Sequence, residues 1–141
     1  MSEPEYTRLT FDLTLAVART VARQSPAATL VYVSGAGTDS SERGRSMWAR
    51  VKGRTENELL RLPFKAAYMF RPGAIVPLHG VRSKTRWVRL IYPLLVPVIP
   101  LWRRFAPDTI TTSEQVGRAM LRVAREGYAK PTLETADINR L

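Results

Sequence analysis

The chain has 141 residues, 45% of them hydrophobic, and carries a formal net charge of +10 with a sequence pI near 10.8. Its size and apolar content fit one folded domain and exclude a disordered tail. The lack of cysteine excludes disulfides, thiolate chemistry and cysteine-ligated metal. The polar, acidic stretch from Met1 to Arg8 lacks the apolar core of a signal peptide, so a cytoplasmic location is expected. Basic charge raises nucleic acid and anionic membrane as partners. The arginines are spread along the chain, however, and cluster only between Arg82 and Arg89 and at Arg103-Arg104. A phosphate footprint should concentrate on one face, so scattered surface arginine is preferred and nucleic acid is not an expected partner.

Ser2-Glu3-Pro4-Glu5 opens a helix, with Ser2 as N-cap, Pro4 in the first turn and Glu5 three residues on. Leu9, Leu13, Ala16, Val17, Thr20 and Val21 then recur at three- and four-residue steps and give one apolar face. Pro26 stops that helix. Residues 29–33 form a β-branched and apolar run, a buried strand. Gly35 to Arg43 is a polar loop. Ser46 to about Leu60 is a second helix with Trp48, Val51, Thr55, Leu59 and Leu60 on one side. Lys65 to Phe70 is the next strand, ended by Arg71-Pro72-Gly73, and Ile75 to Gly80 is a loop. From Arg82 to Phe105 the chain is basic at both ends and apolar between. Thr112-Ser113-Glu114-Gln115 is a capping-box pattern. The helix it starts carries Val116, Ala119, Met120, Val123 and Ala124, with Gly127 as C-cap. Thr132 to Glu134 is a last short strand.

Helices alternating with short buried strands predict an α/β chain with a parallel sheet. Two good strands and one weak one make a small sheet with an open edge, and such edges are normally paired or covered. Three features follow one another in order. Ser34 ends a strand in Val31-Tyr32-Val33-Ser34-Gly35, Trp48-Ala49-Arg50-Val51-Lys52 lies on the next helix, and Arg71-Pro72-Gly73 closes the next strand. This order resembles that of the extended and atypical short-chain dehydrogenases/reductases, of the NAD-dependent epimerase/dehydratase type. Trp48 stands where their Tyr-x-x-x-Lys signature has its tyrosine. The resemblance covers roughly residues 5 to 135. It implies a Rossmann-like, doubly wound parallel sheet of which the Gly-rich N-terminal half is lacking, as if the chain were started at an internal methionine or truncated. Residues 1–80 would be the C-terminal half of that fold, 81–111 an apolar and basic cap segment, and 112–141 a returning helix and tail.

The resemblance also implies roles. Ser34 would hydrogen-bond the substrate, Lys52 would hold the cofactor ribose, and the backbone at Arg71, Pro72 and Gly73 would meet the nicotinamide end of NAD or NADP. The location suits this, because ligands of open parallel sheets bind outside the carboxyl ends of the strands. A spacing of four puts Trp48 and Lys52 on one helix face. In a working enzyme the lysine lowers the tyrosine pKa from about 10. The phenol then exchanges a proton with the substrate. An indole N–H donates but never accepts, so Trp48 leaves the acid/base step without its agent. Tyr32 and Tyr68 lie inside predicted strands and are poor substitutes. Plainer readings stand beside these: Ser34 in a Ser-Gly turn, Trp48 in a core, Lys52 solvated, and Arg71 to Gly73 a simple reversal.

Gly35-Ala36-Gly37-Thr38-Asp39-Ser40 follows a strand, but Ser40 occupies the third glycine position and the loop runs on through Arg43. It is therefore rejected as a phosphate loop, and cofactor binding by this chain is expected to be weak or absent. His79 is the only histidine and has no carboxylate near it in sequence, so no metal site is expected. The run Leu90 to Trp102 is broken by Pro93, Pro97 and Pro100 and is too short to span a bilayer. Arg86, Arg89, Arg103 and Arg104 flank it, with Trp87, Tyr92 and Trp102 near its ends. That pattern suits a membrane surface, although packing over the sheet as the substrate-cap segment is the preferred reading.

The expectation is an NAD(P)-dependent oxidoreductase or epimerase-like protein for a small-molecule substrate, with its proton-transfer tyrosine replaced by Trp48. The rivals are a non-catalytic binding or regulatory protein on the same fold, and a peripheral membrane module through Leu90 to Trp102. In the resembled family, helices matching residues 5–24 and 46–60 often pair between subunits, so a homodimer is a further expectation.

Overall fold

A computed structural model describes residues 1–77 and 107–141. His79 and the run Leu90 to Trp102 lie outside these residues, and so do the expectations attached to them. The chain opens with α1 (Glu3–Thr7), which continues through a π-helical turn (Arg8–Asp12) into α2 (Leu13–Gln24). Then follow β1 (Thr29–Val33), α3 (Met47–Leu60), β2 (Ala66–Arg71) and β3 (Ala74–Val76). After the undescribed stretch come a short 3₁₀ turn (Pro107–Thr109), β4 (Ile110–Thr112), α4 (Ser113–Glu126), β5 (Thr132–Glu134) and α5 (Thr135–Arg140).

The protein is mixed α/β, with a parallel three-stranded sheet in the order β1-β2-β5, compatible with an incomplete Rossmann-like fold. Register pairs Val31 with Tyr68, and Phe70 with Leu133. Successive strand residues point to opposite faces, so β2 feeds two cores. Tyr68 and Phe70 join Val116, Ala119, Val123, Leu133 and Ile138 under α4 and α5. Met69 joins Leu15, Ala18 and Leu59 under α2 and α3. Both faces are thus covered, as parallel sheets require. Each fully buried large side chain, such as Phe70, Met69, Leu59 or Leu133, contributes about 1.5–3 kcal/mol.

The outer edge of β1 is open among the described residues. Ser34 N–H donates to the Phe70 carbonyl at 2.9 Å and the Ala28 carbonyl accepts from Lys65 at 3.1 Å. Even-numbered groups of β1 therefore face β2, and the amides of Thr29, Val31 and Val33 face outward.

Local signals explain most boundaries. The capping box before α4 forms as read: Thr112 Oγ1 accepts from Gln115 N–H, and Gln115 Oε1 accepts from Thr112 N–H, both at 3.1 Å. Gly127 closes that helix at φ 78°. Ser2, in contrast, gives α1 no side-chain cap. Pro4 in the first turn has no N–H, which removes one of the two amides a serine cap serves.

Three expectations are corrected. The face of α2 read from the sequence is not the buried one: Leu15, Ala18 and Ala22 pack inward, while Leu9, Leu13, Val17 and Val21 are 47%, 58%, 57% and 41% exposed. The helix is apolar on two sides, and the small alanines let it lie close to the sheet and α3. On α3, Val51, Thr55 and Leu59 are buried as expected, but Trp48 and Leu60 are 40% and 37% exposed. Finally, residues 74–76 are strand rather than loop, pairing in parallel with β4 through Ile75 and Thr111. Strands of three residues carry no readable alternation.

Candidate functional site

β1 and β2 end side by side, and α3 crosses behind them. Two backbone links hold the ends together, and a bond to a side chain ties the turn after β2 to α5. Ser34 N–H meets the Phe70 carbonyl, Ala36 N–H donates to the Pro72 carbonyl at 2.9 Å, and Gly73 N–H donates to Thr135 Oγ1 at 2.8 Å. Gly73 is held so closely that an added Cβ would overlap the Thr109 carbonyl. Gly53 on α3 is in the same position against the Asp39 carbonyl, where the loop from Gly35 crosses the helix. Asp39 N–H also donates to the Ala49 carbonyl at 3.1 Å. The Asp39 carboxylate ties the loop from inside, accepting from Ser41 and from Gly44 N–H at 2.6 Å. The Ser41 hydroxyl, then the Gly44 amide, hold this carboxyl below the usual carboxylate range.

At the centre is Glu56, only 1% exposed, on α3. Arg71 Nε donates to both of its oxygens at 3.1 Å, and a terminal guanidinium nitrogen pairs with Glu56 Oε2. Arg71 further reaches Ser40 Oγ and, at 3.3 Å, Glu134. Hydrogen bonding to Glu56 raises the guanidinium pKa above its ordinary value, against the opposing effect of burial. Ser34, 8% exposed, donates its hydroxyl to the same Glu56 carboxylate and lies 3.2 Å from the Phe70 carbonyl. Both neighbours are acceptors, so the single serine proton stays inside the protein.

Lys52 sits one turn before Glu56 and donates from Nζ to the Ser34 carbonyl. Burial lowers its ammonium pKa, and the Glu56 charge partly offsets that. An ammonium has about three donors, so about two of its N–H groups remain free. Trp48 stands one turn earlier still. Its half-exposed ring lies over Gly37, 3.6 Å from where a Cβ would be. Gly37 has φ 82°, which favours glycine.

Of the residues singled out in the sequence, Ser34, Lys52, Arg71 and Pro72 come together at the strand ends. Gly73 turns away to Thr135, and Trp48 lies against Gly37 at the flank. Glu56, which links Ser34 to Arg71, was missed, as were Ser40 and Glu134. A signal for Glu56 existed. It is a charged residue between Thr55 and Leu59 on the buried side of α3, four residues after Lys52.

Neither candidate tyrosine is set up to carry a proton. Burial, with Tyr6 and Glu56 beside it, pushes the Tyr32 phenol up to about 12. The Tyr68 oxygen accepts from Tyr128 N–H at 3.0 Å, inside the α4 core. In the Gly-x-Gly loop, Ala36 N–H is taken by Pro72 and Thr38 N–H by the Gly35 carbonyl at 3.2 Å. Those two amides cannot also hold a phosphate. Among the described residues no group of three acidic or histidine side chains is placed to hold a metal, and no helix is long and apolar enough to cross a membrane.

No protein-family model matches this chain, and no curated protein matches it.

Proposed function

We propose that the chain contributes the ribose and nicotinamide end of an NAD(P) site of the short-chain dehydrogenase, epimerase/dehydratase type, and that it binds rather than turns over. One observation carries the reading. Lys52, Ser34, Arg71 and Pro72 converge at the carboxyl ends of two adjacent parallel strands, the position where open sheets take their ligands.

The residues fit one end of a dinucleotide. The free donors of Lys52 suit a ribose diol, and the turn after β2 leaves backbone close to the strand ends. They do not fit the pyrophosphate, because the Ala36 and Thr38 amides are already used. When bound, the nicotinamide would supply hydride chemistry. Of the residues considered for proton transfer, Trp48 only donates, the Ser34 proton is committed to internal acceptors, and the Tyr32 pKa is raised. This favours the non-catalytic, binding reading over an active oxidoreductase or epimerase.

Titration with NADH and with NADPH, followed by tryptophan fluorescence, tests the proposal. Weak saturable binding is expected, and Lys52→Met should weaken it roughly ten-fold, the worth of one hydrogen bond to a charged group. Binding that Lys52→Met leaves unchanged, or none at all, would overturn the reading.

A further inference from the structure

We infer that Glu56 is a positioning residue of this site: buried itself, it holds the Ser34 carbonyl to which the ligand-facing Lys52 is tied. The inference takes only the identity of the ligand from the dinucleotide reading. Lys52 and Glu56 are one turn apart on α3 and both reach Ser34, one its carbonyl and the other its hydroxyl. A lysine ammonium is a compact charge on a flexible four-carbon stem, so it stays where its acceptor is fixed. For Lys52 that acceptor lies in the peptide joining Ser34 to Gly35.

Glu56 clamps that peptide from both sides. Before it, the carboxylate accepts the Ser34 hydroxyl. After it, the hold is one step longer. Arg71 Nε lies 3.1 Å from both carboxylate oxygens, and the carbonyl of Pro72, the next residue, takes Ala36 N–H at 2.9 Å. The charge of Glu56 acts as well. Burial drives the Lys52 ammonium toward losing its proton, and Glu56 opposes that loss. The other charged groups here are already engaged. Arg71 of β2 pairs with Glu56, Glu134 of β5 pairs with Arg71, and Asp39 in the crossing loop is turned to Ser41 and Gly44.

Two substitutions separate shape from charge. Glu56→Gln keeps the length of the side chain and removes its charge, whereas Glu56→Asp keeps the charge with a shorter reach. The Lys52 side-chain carbons are followed by NMR through a pH titration, first without ligand and then with NADH. In Glu56→Gln, Lys52 should titrate at lower pH than in the wild type, and NADH binding should fall off at correspondingly lower pH as the ammonium is lost. Glu56→Asp should return the titration toward the wild-type position. A glutamate with only a structural role would change stability in both variants and leave the Lys52 titration where it was, and that result would overturn the inference. If Glu56→Gln does not fold, Ser34→Ala opens one side of the clamp alone. Carbon relaxation should then show a more mobile Lys52 side chain, and unchanged mobility would equally overturn the inference. A wild-type chain that binds no NADH, with the Lys52 shift still present in Glu56→Gln, would remove the dinucleotide reading and leave Glu56 in its role.

Discussion

The carboxyl ends of β1 and β2 bury charge, while the outer face of α2 exposes hydrocarbon. Each region inverts the usual rule, and the inversions have different consequences. Glu56 is removed from water and Arg71 largely so, and both are paired, with each other and with Ser34, Ser40 and Glu134. Leu13 and Val17 have no such internal solution and remain open. A buried polar cluster with complete partners fixes a geometry, and an open apolar stripe calls for a partner.

The largest effect is expected at Glu56. Removing one member of a buried pair strands the other, so Glu56→Ala should cost about 3–5 kcal/mol in urea unfolding. A cost under about 1 kcal/mol would mean that Arg71 is solvated and that the network organises nothing. Gly53→Ala should cost about 1–3 kcal/mol, because the new methyl overlaps the Asp39 backbone rather than a movable side chain. Leu13→Ser, on the open stripe, should change the stability of the single chain by no more than about 0.5 kcal/mol. The exposed pair Arg122–Glu126, at 3.0 Å, should matter least, with Glu126→Ala costing at most about 0.5 kcal/mol.

Two pH effects sharpen the same contrast. The folded Tyr32 pKa, about 12, lies above the ordinary 10.0. Its contribution is therefore complete below pH 10.0 and is lost as pH rises toward 12. Absorbance titration of the phenols should show one tyrosine ionising late, together with unfolding, and Tyr32→Phe should remove that step. At Asp137 burial raises the pKa, but Lys130, the Glu134 amide and Tyr128 together hold it lower. A depressed acid stabilises above its unfolded pKa of about 4, and the effect is lost as pH falls below it. Asp137→Asn should flatten the acid limb of the stability curve. An unchanged limb would remove Asp137 from the account.

Much of the frame was legible in the chain. β1 and β2 announce themselves as β-branched and aromatic runs, and α4 by Thr112 with Gln115 at one end and Gly127 at the other. These signals are local, and the structure uses them locally. What could not be read depends on distant partners. Nothing near Leu13 or Val17 says that Leu15 and Ala18 face the sheet instead, because both sides of α2 satisfy a helical period. β3 and β4 exist only because two three-residue segments are brought together. The site divides in the same way. Ser34, Lys52 and Arg71 were found through a spacing pattern. Glu56 was passed over because its role depends on Arg71, which reaches it only when β2 lies against α3.

The most direct test of the central claim, that these strand ends receive a dinucleotide's ribose, is amide chemical-shift mapping with NADH at concentrations on the order of millimolar. Shifts confined to Ser34 through Thr38, to Lys52 and to Arg71 through Gly73, and strongly reduced in Lys52→Met, are the expected result. Shifts elsewhere in the fold, or a spectrum that does not respond, would contradict it.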